Sequence, residues 1–210
     1  MRTSVTEALR LNIVNGTLQP GSRVSEEWVA SEMGISRGPV REALRELENE
    51  GLLEIKAYRG TFVKEITTDE LRNILIPIRF ILESRACILA LPMMTEANLQ
   101  IFADIIGRMG VVVTAGGEDA LLKLVELDVQ YHHFLMSLSS QYHALGLWKT
   151  IEPRIRVGFY RLGLKHVDFQ EIVIEHQVLL DSFRTRDPKV ALVALEHHIC
   201  TDQFQLLDRV

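Results

Sequence analysis

Apolar residues recur at helical spacing in three short segments at the start of the chain, separated by glycine and proline. The segments cover residues 3–15, 26–33 and 34–51. A spacing of i, i+3, i+4 and i+7 places apolar side chains on one face of a helix. The pattern therefore predicts three helices, the last two joined by a tight turn, with Trp28 and Val29 pointing inward in the second helix.

Two short β-type runs follow the third helix, at residues 52–55 and 61–63. Lys56 and Arg59 lie between them and are followed by Gly60, whose missing side chain permits a close backbone approach. This arrangement predicts a hairpin with a basic tip. Three helices and such a hairpin make a winged helix, in which the second helix of the turn enters the DNA major groove.

Three arginines lie side by side on the predicted third helix. Arg37, Arg41 and Arg45 recur every four residues, next to the apolar face. Guanidinium groups suit forked contacts with phosphate or guanine. The same pattern is also typical of an ordinary amphipathic helix with solvated arginines. The neighbouring turn and hairpin favour the DNA-binding interpretation.

The rest of the chain is a series of long helical patterns without a strand signal. The predicted helices cover residues 69–91, 95–114, 118–139, 142–164, 168–186 and 188–208. Pro77 should kink the first of them or start it anew. We therefore predict a mainly α protein in which a winged helix-turn-helix is followed by an antiparallel bundle of about six helices.

Four polar residues stand where the predicted bundle helices should be apolar, namely Asp128, His132, His176 and His198. Asp128 and His132 are neighbours on one helix face, since they are four residues apart. Three imidazoles and a carboxylate match the ligands of a divalent transition metal. The alternative is a set of core histidines satisfied by ordinary hydrogen bonds.

Charge and composition narrow the class of protein. The net charge is −5, and residues 1–66 hold 9 basic and 10 acidic side chains, so any DNA contact must come from a local basic patch.

The chain starts without an apolar signal core, and no uninterrupted apolar run approaches ~18 residues. Two distant cysteines fit a reducing compartment. We expect a cytoplasmic protein without a membrane segment.

Residues 1–66 resemble the winged-helix domain of GntR-type bacterial transcription regulators. The resemblance rests on Gly16-Thr-Leu-Gln-Pro-Gly21, Ile35-Ser-Arg-Gly-Pro-Val-Arg-Glu-Ala-Leu44, Glu50-Gly-Leu-Leu53 and Arg59-Gly60. Gly38 stands where many relatives carry threonine, which removes one hydroxyl contact. The DNA-binding residues that the resemblance implies are Arg37, Gly38, Arg41, Arg45, Arg59 and Gly60.

Residues 69–208 resemble the FCD effector domain of the FadR subfamily, on the segments Asp128-Val-Gln-Tyr-His132, Glu175-His176 and His197-His198-Ile199. The resemblance implies a metal ion on Asp128, His132, His176 and His198, with zinc expected first and nickel or another transition metal as alternatives. It also implies a small carboxylate effector, clamped by Arg79; the alternative for Arg79 is a salt bridge to Glu83. The six helices suggest the VanR-like variant.

These observations predict a metabolite-responsive transcription regulator, a repressor, with a DNA-binding domain at 1–66 and an effector domain at 67–210. We expect a homodimer on a palindromic operator. Two alternatives stay open: a regulator with a purely structural metal, and a metal-dependent hydrolase. The hydrolase interpretation lacks a placed nucleophile or oxyanion donor, so we expect no enzymatic activity.

Overall fold

The structure, a computed structural model, describes residues 2–165 and 168–208. His166, which the sequence places at the surface or at a helix end, lies outside the described residues. The contacts divide the chain into two compact units, Met1–Thr67 and Thr68–Val210. Most described residues are helical, and one two-stranded antiparallel sheet follows the first three helices. This confirms the predicted fold class.

The first unit holds three helices and a hairpin. Their bounds are α1 Arg2–Val14, α2 Glu26–Met33, α3 Arg37–Asn49, β1 Leu53–Lys56 and β2 Gly60–Val63. Helix α3 packs on both α1 and α2, and its buried face consists of Val40, Ala43, Leu44 and Leu47. The hairpin register pairs Leu53 with Val63 and Lys56 with Gly60.

Local signals explain the bounds of α2, but one inward residue was wrongly predicted. The Ser25 side chain accepts a hydrogen bond from the Trp28 backbone N–H at 3.1 Å, and Gly34 ends the helix with φ 62°. Val29 is 1 % exposed, whereas Trp28 is 43 % exposed. Consecutive helix residues point about 100° apart, and this eight-residue helix buries only a narrow stripe.

The second unit is a helical bundle. Its α-helices are α4 Thr68–Glu70, α5 Ile76–Ala90, α6 Glu96–Ala115, α7 Ala120–Leu138, α8 Tyr142–Gly163, α9 Gln170–Arg184, α10 Pro188–Glu196 and α11 Gln203–Asp208. Helix α7 packs against α5, α6 and α8, and α6 also packs against α9. Aromatic contacts join three of these helices, since Phe102 lies 4.6 Å from Tyr131 and 5.5 Å from Phe183 between ring centroids.

Two wider π-helical turns interrupt the bundle helices, at Leu71–Leu75 and His197–Asp202. The first turn lies directly before α5, and Pro77 then occupies the first turn of that helix. Proline is tolerated there because its missing N–H needs no partner at a helix start. The predicted restart at Pro77 therefore agrees with the structure. The second turn divides the predicted last helix, which the sequence pattern did not indicate.

Among the described residues, α6 is the one helix long and apolar enough, by length and composition alone, to cross a membrane. It packs into the bundle through Leu99, Phe102 and Met109 and carries the charged residues Asp104 and Arg108. A single helix of this kind is weak evidence for a membrane span.

Candidate metal centre and recognition helix

The arginines of α3 lie exposed beside its buried apolar face. Arg37, Arg41 and Arg45 are all on the solvent side, and Gly38 is exposed in the first turn of the helix. One face of the helix thus packs into its own unit, and the neighbouring face directs a row of guanidinium groups toward solvent. This is the geometry that a helix inserted in the major groove requires.

Two of these arginines are bound by acidic residues of α2, which sequence reasoning missed. Arg41 donates from Nε and Nη2 to the two carboxylate oxygens of Glu26, each at 2.8 Å. Arg37 donates to Glu27. The hydrogen bond from Arg41 lowers the pKa of Glu26. The pairs are exposed, so phosphate oxygens can replace the carboxylates.

The hairpin tip carries the other predicted DNA-binding residues. Arg59 is exposed, and Tyr58 and Gly60 adopt φ values of 60° and 106°. A Cβ at position 60 would lie 3.0 Å from Nε of Arg23, so glycine permits both the backbone angle and the close approach. The tip therefore projects a basic side chain from a tight turn.

In the helical unit, the four predicted metal ligands come together. Asp128 and His132 lie on α7, His176 on α9 and His198 in the second π-helical turn, and one donor atom from each lies within 4.8 Å of the others. Nε2 of His132 is 3.1 Å from Nε2 of His198. Nε2 of His176 is 3.2 Å from Oδ1 of Asp128. We call these four residues the four-donor centre.

Outer partners orient two of the imidazoles toward this centre. Nδ1 of His176 lies 2.8 Å from the Ile172 carbonyl oxygen, and Nδ1 of His132 lies 2.6 Å from Oε2 of Glu83. Because both oxygens accept hydrogen bonds, each Nδ1 carries the proton. In the neutral ring, Nε2 then presents a lone pair to the centre.

The electrostatics of the centre favour a bound cation. Burial lowers the pKa of His132 and His198, which keeps the imidazoles neutral at neutral pH. Burial would raise the pKa of Asp128, but the nearby His132, His176 and Arg79 outweigh burial and lower this pKa. Within the described chain, buried Nε2 of His176 and Oδ2 of Asp128 have no hydrogen-bond partner. A cation at this point would satisfy the converging lone pairs and the buried carboxylate.

The spacing of the donor atoms suits a transition metal. Two ligands about 2.1 Å from one ion are about 3.0–3.4 Å apart in octahedral or tetrahedral geometry. The 3.1 Å and 3.2 Å separations at the four-donor centre lie in this range, and the 3.8 Å between Nε2 of His132 and Oδ1 of Asp128 lies slightly above it. The residues present therefore fit a divalent metal such as zinc.

Arg79 lies beside the centre and makes the predicted alternative contact. Its Nε donates to Oε1 of Glu83 at 2.8 Å, and its guanidinium stacks 4.4 Å from the Phe159 ring centroid. Nη2 lies 3.8 Å from Oδ2 of Asp128 and, among the described residues, has no hydrogen-bond partner. The Glu83 salt bridge thus leaves one edge of the guanidinium for another acceptor. The effector-binding role of Arg79 stays a prediction.

Glu83 joins the centre to three helices, a role that the sequence did not reveal. It is fully buried and accepts hydrogen bonds from Arg79, from His132 and from Nε1 of Trp148 on α8 at 2.8 Å. Burial would raise the pKa of Glu83, but Arg79 and His132 lower it to about 2. The residue therefore stays ionised and holds His132 in orientation.

Replacing Glu83 with glutamine is expected to lower metal affinity by about 10- to 100-fold, the usual cost of losing an outer-shell partner of a ligand. The neutral amide keeps the shape but cannot accept from all three donors. Calorimetric titration with zinc measures the effect. Glu152→Gln is the matched control, because Glu152 pairs with Arg156 four residues on. Equal zinc affinities in the two variants would contradict the role of Glu83.

Comparison with known proteins places these features in a family. The family model described as bacterial regulatory proteins, gntR family, matches residues 1–63, and the FCD domain model matches residues 75–201. The HTH-type regulator YdhC of Bacillus subtilis is 28 % identical over 197 residues, covering 91 % of this chain and 86 % of its own length. The repressor RspR of Escherichia coli is 27 % identical over 198 residues, covering 91 % and 82 %.

A solved structure supports the same fold. The Escherichia coli protein McbR/YncC superposes with a TM-score of 0.81 at 20 % identity, covering 99 % of this chain and 97 % of its own. The matched families and relatives are transcription regulators and not enzymes, which decides against the hydrolase alternative. The chain belongs to the GntR family of bacterial transcription regulators, in the group that carries an FCD domain.

Proposed function

We propose that this regulator is a repressor whose helical unit binds a divalent metal ion together with a small carboxylate effector. Zinc is the metal that we propose first. The observation that carries the proposal is the convergence of three imidazoles and Asp128 on one point, with buried donor atoms left without partners among the described residues. A bound ion would supply a coordination position for an anionic oxygen. The unused edge of Arg79 lies beside that position and supports its role as a clamp.

The DNA-binding part of the proposal is a cytoplasmic homodimer on a palindromic operator. The exposed row Arg37, Arg41 and Arg45 would read the major groove, and Arg59 with Gly60 would follow the adjacent backbone or minor groove. Relatives that align over most of this chain include a gluconate operon repressor of Bacillus subtilis, 24 % identical over 200 residues, covering 92 % of this chain and 80 % of its own. That name supports repression as the direction of control.

The helix count supports a finer classification within the family. Joined across the two π-helical turns, the described bundle has six long helical segments. We assign the chain to the FadR subfamily, in its smaller VanR-like variant, on this count.

Operator affinity tests the proposal directly. We expect zinc-loaded protein to change operator affinity by about 5- to 150-fold when the right small carboxylate is added, the range usual for coupled sites. The same acid should have no effect after chelation of the metal. Fluorescence anisotropy on an operator fragment, with and without zinc and with a panel of acids, measures this.

The second candidate function is a DNA-binding regulator whose metal ion only stabilises the fold. The four donors would be sufficient to hold such an ion without any effector. In that case zinc would raise the melting temperature, but no acid would raise it further or change operator affinity. This result would overturn the sensor proposal.

A further inference from the structure

Helix α6 is a long apolar helix, and the bundle covers little of it. Its most apolar stretch is only 28 % buried. The residues along its outer face are alternately four and three positions apart, which is the spacing of a coiled-coil seam. All of them are exposed, and they are Ala97, Ile101, Asp104, Arg108, Val111 and Ala115. We call this face the α6 seam. Its spacing suits contact with a second helix.

The α6 seam is complementary to itself. It consists of three pairs of residues centred on position 106, namely Ala97 with Ala115, Ile101 with Val111, and Asp104 with Arg108. In an antiparallel pair of identical helices related by a two-fold axis, residues at equal distances from the axis face each other. An axis at position 106 therefore sets alanine against alanine, isoleucine against valine, and aspartate against arginine. A parallel pair would instead set Asp104 against the partner's Asp104, which is unfavourable.

Neutral amides hold the two charged residues of the seam within one copy. Asp104 accepts a hydrogen bond from Nε2 of Gln100 at 2.8 Å, and Arg108 donates one to Oε1 of Gln130 at 3.1 Å. A hydrogen bond between two ionised groups is stronger than one between an ionised group and an amide. The opposite charge of a second copy would therefore improve both contacts, and it would fix the register of the pairing.

Two glycines beside the seam point to the same partner. Gly107 and Gly110 lie inside α6, where glycine lowers helix stability relative to alanine. A Cβ built at either position would meet no atom of the described chain within 4 Å, so packing within one copy does not require them. They line a shallow groove of about 510 Å³ with Val111, Thr114 and Ala115. The missing side chains permit close approach of a second backbone.

We infer that two copies of this chain dimerise through α6, paired antiparallel about a two-fold axis near position 106. The axis places Ile101 of the partner subunit over the groove, against Val111. This inference rests on the proposed homodimer and adds its contact surface. A second copy suits the face better than a lipid bilayer does, because a bilayer would desolvate Asp104 and Arg108 without supplying opposite charges.

An exchange of charges tests the pairing. Asp104→Arg sets arginine against Arg108 of the partner subunit and should raise the dissociation constant of the dimer at least about 100-fold, because opposed like charges repel. Arg108→Asp should have the same effect. The double variant carrying both changes restores opposite charges and should return the dissociation constant to within about tenfold of that of the unmodified protein. Sedimentation velocity over a concentration series measures the constant, and circular dichroism checks the fold.

A second variant tests the close approach of the helices. Gly107→Leu should weaken the dimer about tenfold or more, because the larger side chain holds the helices apart. Gly146→Leu is the matched control, since Gly146 is exposed within α8 and a Cβ there also meets no described atom within 4 Å. Equal dissociation constants for the two variants would contradict close packing at Gly107.

The outcomes separate this inference from the proposed homodimer. A dimer that survives both single charge changes would overturn pairing through α6 and leave the homodimer standing. Dissociation by a single change without rescue in the double variant would overturn the antiparallel register. An unmodified protein that stays monomeric at every concentration, also on the operator, would overturn both proposals. If that monomer sediments with phosphatidylglycerol vesicles, α6 is a membrane-binding face instead.

Discussion

Replacing Arg41 with alanine is expected to abolish operator binding while leaving the fold intact. Arg41 is exposed on α3, and its side chain pairs with the carboxylate of Glu26, which water can replace. One forked arginine contact to a base is worth about 1–3 kcal/mol, and a dimer loses it twice. The affinity loss should therefore lie between about 30-fold and about 3 × 10⁴-fold. Anisotropy titration measures it, and circular dichroism checks the fold.

A matched variant shows that the loss is specific. Arg184→Ala removes another exposed arginine that pairs with a carboxylate, in this case Asp181 on the helical unit. It should bind the operator as the unmodified protein does. If Arg41→Ala also retains full operator affinity, α3 is not the recognition helix.

Replacing His176 with alanine is expected to remove most of the bound metal and, with it, the response to the effector. Outer-shell partners already change metal affinity by about 10- to 100-fold, so loss of a direct ligand should exceed 100-fold. Metal analysis after dialysis measures the content. The melting temperature of this variant should no longer depend on added zinc.

The His176 experiment needs controls for folding, because the ring is fully buried. His176→Gln keeps more of the volume and separates packing from ligation. His143→Ala removes an exposed histidine of α8 and should retain a full complement of metal. A full complement in both His176 variants would remove this residue from the ligand set.

Periodicity predicted the helical architecture because burial controls it. The stripes of α3, α7 and α9 consist mainly of apolar residues at helical spacing, and the structure buries most of these residues. Inward polar residues were visible for the same reason, since Asp128 and His132 interrupt an apolar face. The apolar pattern gave the wrong orientation for Trp28. Helix α2 has only eight residues and buries a narrow face, which so short a pattern does not define.

Long-range partners could not be predicted from spacing. Glu83 reaches His132 across 49 positions and Trp148 across 65, so no local pattern connects them. Only its bond to Arg79, four residues earlier, follows from helical geometry. The π-helical turn that holds His198 was missed because one additional residue in a turn leaves the surrounding apolar pattern nearly unchanged.

The acidic partners of the α3 arginines change how DNA binding should respond to ionic strength. A guanidinium that meets a phosphate releases a counterion from DNA, and the affinity falls with salt by a logarithmic slope of about −0.9 for each phosphate neutralised. Arg41 and Arg37 must first break their salt bridges with Glu26 and Glu27, and each freed carboxylate then binds a cation from solution. The cations bound by the carboxylates partly offset the counterions released from DNA. The affinity of this protein for DNA therefore depends less on ionic strength than its number of arginine–phosphate contacts would imply.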